Sequence, residues 1–420
     1  MPREMKDSGI EWIGEIPADW KVVKVANQYT ERKVKVSDND YPPLSVTMKG
    51  ILPQLATAAK TDAHDDRKLV CKGDFAINSR SDRRGSCGIS PYDGSVSLIN
   101  TILKPRDEMN AEYYDWLFHT TMFSDEFYKW GHGIVNDLWT TNWQDMKKIS
   151  IPEPALSEQQ RISAHLDIEC AKIDDVISKS KATIEEYKKL KQSVITETVT
   201  KGIRPNREMK DSGIEWIGEI PKEWEISLIK YHLKWKSEKG FSDEQVLSLY
   251  RDYGVIPKDS RDDNHNVTSL DTSTYKLVDT GDFVINKMKA WQGSMAVSEY
   301  RGIISPAYHI CEFYSDAFIK RYFHYLMRNN SYLPEYERLS TGMRIGQWDL
   351  GFDDFKNIPI IIPSLSEQQE IADYLDKKCY EIDTLIAKKE QIVTELESYK
   401  KSLIYEYVTG KKEVIQWTAI

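Results

Sequence analysis

Two short stretches hold the side chains best suited to chemistry on a ligand. Ser79-Arg80-Ser81-Asp82-Arg83-Arg84 lies between Asn78 and Gly85, and Lys287-Met288-Lys289-Ala290-Trp291-Gln292 lies between Asn286 and Gly293. The first stretch, with Lys72 upstream, belongs to a segment from Arg67 to Ile89 that has six basic residues against two acids. A guanidinium can bond a guanine edge through two N–H groups, a glutamine amide can do the same to adenine, and an ammonium suits guanine or phosphate. Arg80, Arg83, Arg84, Lys72, Lys287, Lys289, Trp291 and Gln292 are therefore candidate contacts to DNA. Arg344, in Thr341-Gly342-Met343-Arg344-Ile345-Gly346, is a further candidate, matched in place by Gly131-His132-Gly133-Ile134. The same residues also suit a solvated surface loop, so the elements that carry them decide.

Those elements occur twice. Arg3 to Pro17, REMKDSGIEWIGEIP, recurs without change as Arg207 to Pro221, and fifteen identical residues in a row point to tandem duplication. Gly73-Asp74-Phe75-Ala76-Ile77-Asn78 recurs as Gly281-Asp282-Phe283-Val284-Ile285-Asn286, and Trp139, Asp145, Lys147 and Ile149 as Trp348, Asp354, Lys356 and Ile358. Leu156-Ser157-Glu158-Gln159-Gln160 recurs as Leu365-Ser366-Glu367-Gln368-Gln369. Between these anchors the two bodies differ almost everywhere. A shared frame with unlike polar loops fits two readers of different targets better than two copies of one catalytic site. Trp12, Ile13, Ile16 and Trp20 of the repeated box read as packing residues. So do the aromatic segments around Tyr113 to Phe118 and Phe318 to Leu326.

Each unit closes on a long helix. Ser157 and Ser366 are placed to cap, Gln160 and Gln369 stand three residues on as a capping box requires, and Gly202 and Gly410 mark the ends. Roughly 44 residues at about 1.5 Å each make a rod of roughly 65 Å. Its apolar residues form a narrow heptad seam: Leu166, Ile173, Ile177, Ile184 and Val194 in the first helix, and Leu375, Ile382, Ile386, Val393, Leu396 and Leu403 in the second. A seam of this width calls for one partner helix. Antiparallel pairing within the chain satisfies it, and a helix from another protein would too.

The chain has 420 residues, 40% hydrophobic and 29% charged, with a formal charge of −9. That balance predicts a folded, soluble chain of at least two domains. No apolar run is long enough for a bilayer, and the first residues lack the apolar core of a signal peptide, so the expected location is the cytoplasm. The net charge argues against nucleic-acid binding, but the distribution of charge decides, since an acidic coil can offset a basic face. The five cysteines include no CxxC pair, and Cys170 and Cys379 read as small seam residues rather than a disulfide.

Several chemistries are not written here. There is no GxxxxGK[ST] loop and no HExxH, and Gly131-His132-Gly133 has Asn136 where a dinucleotide fingerprint needs glycine. Asp40-Tyr41-Pro42-Pro43 has the letters, not the order, of the amino-methyltransferase motif. No repeated carboxylate cluster or acid/base pair stands out, so no catalytic and no metal-binding residue is expected.

The box DSGIEWIGEIP, the GDF-x-IN stretch and the P-x-LSEQQ-x-I entry to a long helix, each present twice, closely resemble the specificity subunit of type I restriction-modification enzymes. The resemblance covers nearly the whole chain. It implies an α+β fold with two globular α/β target-recognition domains, joined by two long helices in an antiparallel coiled coil with an internal pseudo-two-fold repeat. It implies that each domain reads one half of a bipartite DNA site, that the coil sets the spacing, and that the chain docks two modification (methyltransferase) subunits. It also implies motor/nuclease subunits for restriction, and places S-adenosylmethionine, ATP and Mg²⁺ in those partners, with no cofactor in this chain and no membrane. The family supplies no fixed base contacts to carry over. Because the two bodies differ, the expected site is asymmetric.

The expected division is 1–155 for the first box and recognition domain, 156–203 for the first helix, 204–364 for the second box and domain, 365–412 for the second helix, and 413–420 for a tail. Three other readings compete. One is a non-catalytic coiled-coil adaptor with two protein-binding domains, whose interaction with DNA would show little salt dependence. Another is a stand-alone nuclease, which Mg²⁺ and DNA alone would reveal. The third stays in the family, with partners that methylate and never cut.

Overall fold

Phe75–Asn78 shows how one apolar strand serves two cores. Successive side chains of a strand point to opposite faces. Phe75 and Ile77 accordingly enter a large core with Tyr29, Leu103, Tyr114 and Phe118, while Ala76 faces a smaller one with Val70, Val96 and Ile102. The computed structural model describes residues 3–54, 64–133, 139–261, 271–342 and 348–414. The chain divides into two compact units, one made of Met1–Lys181 with Gln391–Ile420 and the other of Ala182–Glu390.

In the first unit the box is a hairpin, with Met5 opposite Pro17 and Asp7 opposite Glu15. The body holds a four-stranded antiparallel sheet in the order Cys87–Ile89, Phe75–Asn78, Asn100–Pro105, Tyr29–Glu31. A three-stranded sheet of Gly94–Ser97, Arg67–Val70 and Lys35–Val36 covers one face. The aromatic segment is a helix, Ala111–Phe118, packed on the other through Tyr113, Tyr114, Leu117 and Phe118, all buried.

The second unit repeats this plan from different residues. Its box hairpin pairs Met209 with Pro221, and its sheet runs Leu233–Lys236, Tyr308–Phe313, Phe283–Asn286, Met295–Val297. Phe283 and Ile285 enter the large core, and Val284 joins Ala296 and Ile310 in the small one. The registers match: Phe75 opposes Leu103 and Phe283 opposes Cys311.

The long helices are Leu156–Lys201 and Leu365–Val408. In the first unit Leu166, Ile173 and Ile177 of one helix share a core with Val393 and Leu403 of the other, and Leu396 packs against it half-buried. Lys400 Nζ meets Asp174 at 2.6 Å and Lys181 meets Glu397 at 2.9 Å, so later positions on one helix face earlier positions on the other, and the pairing is antiparallel. In the second unit Lys191 meets Asp383 at 2.6 Å and Arg204 meets Glu370 at 2.8 Å, in the same sense. Asp383 and Lys400 are the repeat partners of Asp174 and Lys191, so one ion pair is made twice. Ile184 and Ile382 are buried there, Val194 and Ile386 half-buried, and Leu375 belongs to that unit's core.

The helix starts differ from the sequence reading. Ser157 and Ser366 lie inside the helices, whose first turns begin one residue earlier. The second helix is capped by Ser364, whose Oγ accepts from the Glu367 amide at 3.3 Å; the first begins from the Ala155 carbonyl. The third helical residue is thus Glu158 or Glu367, and not Gln160 or Gln369. Gly202 and Gly410 follow the helix ends at φ of +75° and +72°, a conformation that suits glycine. All five cysteines are free thiols, and Cys170 and Cys379 are buried.

Candidate nucleic-acid interface

The LSEQQ motif ties each body to its helices. Glu158 accepts from Arg3 (2.5 Å) and from the Trp20 indole (2.9 Å); Glu367 accepts from Arg207 and from the Trp224 indole (3.1 Å). A carboxylate bound by a guanidinium and an indole N–H has its lone pairs satisfied without water, which is why it can be buried. The next residue holds the aromatic helix. Gln159 Oε1 accepts from the Asn110 amide (2.9 Å) and Gln368 Oε1 from the Ile319 amide (2.8 Å), each at the cap of that helix. From the other side, the Tyr113 hydroxyl donates to the Val408 carbonyl (2.7 Å) and the Tyr322 hydroxyl to the Val199 carbonyl (3.3 Å).

The aspartate of the GDF stretch fixes the strand that carries each candidate loop. Asp74 accepts from the Cys71 amide (2.8 Å) and from Arg32, and Asp282 accepts from the Asp279 amide (2.8 Å) and from Lys236 (3.0 Å). Gly73 and Gly281 supply the left-handed turn before it, at φ of +89° and +92°. Each strand then ends at asparagine and passes into a turn of 3-10 helix, Ser81–Arg83 or Lys287–Gln292.

In the first unit the basic side chains are at the surface but already matched to acids. Arg80 and Arg83 both reach Asp82, at 3.2 and 3.7 Å. Arg84 meets Asp125 at 2.7 Å and lies over the Tyr128 ring, 5.3 Å from its centroid. Such exposed pairs are each worth less than about 1 kcal/mol, so they can exchange for a ligand. A groove of about 430 Å³ beside them is lined by Ser81, Arg84, Asp125, Tyr128, Lys129 and Trp139. Lys72 is exposed on the turn before the strand.

In the second unit Lys287 and Gln292 are half-buried and Lys289 is exposed. Trp291 stands edge-on to Trp348 with centroids 5.3 Å apart, and its N–H donates to the Met288 carbonyl (3.2 Å), so it is part of the turn's own scaffold. Arg344 and most of its loop lie outside the described residues.

The sequence reading did not bring Trp235, Lys239, Lys276 and His309 into this site. They come from separate segments, and the structure gathers them beside Lys287. Lys276 donates to the carbonyls of Pro306 (3.1 Å) and Tyr308 (2.7 Å) and lies 5.9 Å from the Trp235 ring centroid. Burial, then the charges of Lys287 and Lys239, lower its pKa to about 8. Burial, then the charges of Lys287 and Lys276, push His309 down to about 4, so its imidazole is neutral at pH 7. Comparing repeat positions would have exposed this set: Trp235 and His309 stand where the first unit has Glu31 and Thr101. Among the described residues no helix is long and apolar enough to cross a membrane, and no group of three or more His, Cys, Asp or Glu side chains is arranged to hold a metal.

Known proteins share this organisation. Residues 221–395 match the family model of the type I restriction modification DNA specificity domain. The chain is 24% identical to the type I restriction enzyme MjaVIII specificity subunit of Methanocaldococcus jannaschii, over 95% of this chain and 94% of that one. Among solved structures, a chain from work on complex assembly and conformational transition of the type I R-M system has a TM-score of 0.70 at 14% identity, covering 94% of this chain and 99% of that one. The HsdS subunit from Thermoanaerobacter tengcongensis gives 0.53 at 17% identity, covering 94% and 98%. At these identities the structures attest to the fold.

Proposed function

We propose that this chain, which belongs to the family of type I restriction-modification specificity subunits, supplies the DNA recognition of a complex whose other subunits perform the chemistry. Each body reads one half of an asymmetric bipartite site, the paired helices set the spacer and offer surface to two modification subunits, and the chain itself catalyses nothing. S-adenosylmethionine, ATP and Mg²⁺ act in the partner subunits. Motor/nuclease subunits join for restriction.

One observation carries this reading: the same Glu-to-Arg/Trp lock and the same sheet hold two unlike loop sets. A frame repeated at that level of detail with divergent displays is what two different half-sites require. Co-expression with a modification subunit, followed by genome-wide mapping of methylated bases, tests it. A motif with two unlike halves separated by unread bases is expected. Absence of any motif would favour the adaptor reading.

A further inference from the structure

The two bodies differ most in how their basic residues are neutralised. In the first unit Lys68, the repeat partner of Lys276, also rests on a carbonyl, that of Asn100 at 2.6 Å, but the cations around it lie beside carboxylates: Lys35 meets Asp66 at 2.5 Å, Lys33 meets Glu31 at 3.2 Å, and the three loop arginines meet Asp82 and Asp125. At the equivalent place in the second unit Lys239 forms a backbone bridge to Lys276, as Lys35 pairs with Lys68, and Lys287 replaces Ser79. Among the described residues none of Lys239, Lys276 and Lys287 has a carboxylate within 4 Å.

Like charges held together without a counter-ion repel, and that cost is recovered when an anion enters. The shape of the site narrows the anion. Trp235 is 52% exposed and presents its indole beside Lys276, with Phe352 packed behind it at 6.5 Å between centroids. Lys239 is exposed and Lys287 half-exposed, so two ammonium groups can turn toward solvent while Lys276 stays fixed on its two carbonyls. An anion flanked by an apolar surface, accepting from several donors at once, fits this arrangement. A phosphodiester with its attached sugar has that form.

We propose that Lys239, Lys276 and Lys287 with Trp235 form a phosphate-binding site that anchors the second body on the DNA backbone, with no counterpart in the first. The ligand assignment rests on the DNA-recognition reading. Consequently the two half-sites are held by different physics. The second body contributes salt-dependent anchoring through free ammonium groups, whereas the arginines of the first must leave Asp82 and Asp125 before they contact anything.

The test uses the full chain, purified with whatever subunits accompany it, and a fluorescent random-sequence duplex titrated by anisotropy across a salt series. Each phosphate contact contributes about 0.9 to the slope of log affinity against log salt. Because the lysines converge on one phosphate, the K239A/K287A variant should lower that slope by about 0.9, and K239R/K287R should restore it, with melting temperatures unchanged in both. An unchanged slope in K239A/K287A overturns the phosphate site and leaves DNA recognition standing. Equal loss in the alanine and arginine variants overturns it as well, because charge would not be what matters. If the unsubstituted chain binds no duplex at all, the DNA-recognition reading falls and the phosphate site with it. If the alanine variant instead loses a partner subunit while keeping its slope, the surface takes an acidic protein segment and the proposal is wrong.

Discussion

Tyr113 and Val408, 295 positions apart, are joined by a buried hydrogen bond of 2.7 Å from hydroxyl to carbonyl. The acceptor is the last residue of the second long helix, where carbonyls have no partner within the helix. A side chain of the first body therefore completes the end of a helix from the other end of the chain. Tyr113→Phe should cost about 1 to 2 kcal/mol and lower the melting transition of the first unit by a few degrees, leaving the second unit's transition in place. Differential scanning calorimetry checks both.

Glu158 is mostly buried and neutralises Arg3 while accepting from Trp20. Removing it leaves a guanidinium with only the exposed Asp19 for company, and an indole N–H with no acceptor. Glu158→Ala should destabilise the first unit by about 2 to 4 kcal/mol. Glu158→Gln, which still offers an oxygen to Trp20, should cost less. Chemical denaturation of the two variants gives the order, and the reverse order would discredit the lock.

Gly410 at φ +72° has Pro17 and Trp20 against it, so an added Cβ would lie about 2.4 to 2.9 Å from their side-chain atoms. Gly410→Ala should lower the melting temperature of the first unit, through both backbone strain and the collision. Gly9→Ala, with a similar φ and nothing nearby, should cost only the strain. Thermal melts of the two separate the contributions.

Acid should act unequally on the two units. His324 accepts from Arg328 at 2.6 Å, and its pKa is lowered to about 3 by burial and by that arginine; His309 lies at about 4. Unfolded histidine titrates near 6.5, so between pH 6.5 and those values the unfolded chain binds protons that the folded chain does not. Stability present above pH 6.5 is then lost as the pH falls, by up to about 1.4 kcal/mol per pH unit for each histidine. The repeat partner of His324 is Asp115, whose pKa burial raises, so acidification relieves rather than adds a cost there. Calorimetry at pH 7.5 and 5 should show the second unit's transition falling further than the first's.

Arg83→Ala with Arg84→Ala should alter methylation of one half-site and spare the other. Adding a heptad to each long helix should lengthen the spacer by about 10 Å with both half-sites unchanged. Methylome mapping reads both outcomes, and an equal change in the two halves would break the assignment of one body to one half.

The duplication, the long helices and the buried strands were legible because each is a local regularity of spacing or identity. Phe75-Ala76-Ile77 reads as a buried run, and the period of two says which side chains go together. What the LSEQQ motif does was not legible. Its Ser and second Gln stand at capping distance, so local rules place a cap there, while the fold recruits Glu158 and Gln159 for residues 155 and 49 positions away. The same holds for the phosphate site, since Trp235, Lys276 and Lys287 come from a strand of one sheet, a strand of another and a 3-10 turn, and become neighbours only in the folded body. Arg80, Arg83 and Arg84 were visible as a basic stretch, but their acid partners Asp82 and Asp125 were not visible as such, and those partners set how available the arginines are.

The split of the first unit across the chain has a consequence for biosynthesis. The second unit is one continuous segment, Ala182–Glu390, and has all its residues once that segment has left the ribosome. The first must wait for Gln391 onward, because Val393, Leu403 and Val408 fill its core and Lys411 donates to the carbonyl of Ile13. During that interval Leu166, Ile173 and Ile177 lack their covering helix, and exposed apolar surface of this kind is what chaperones bind. The body made first is thus finished last, and the ribosome sets the order in which the two halves mature.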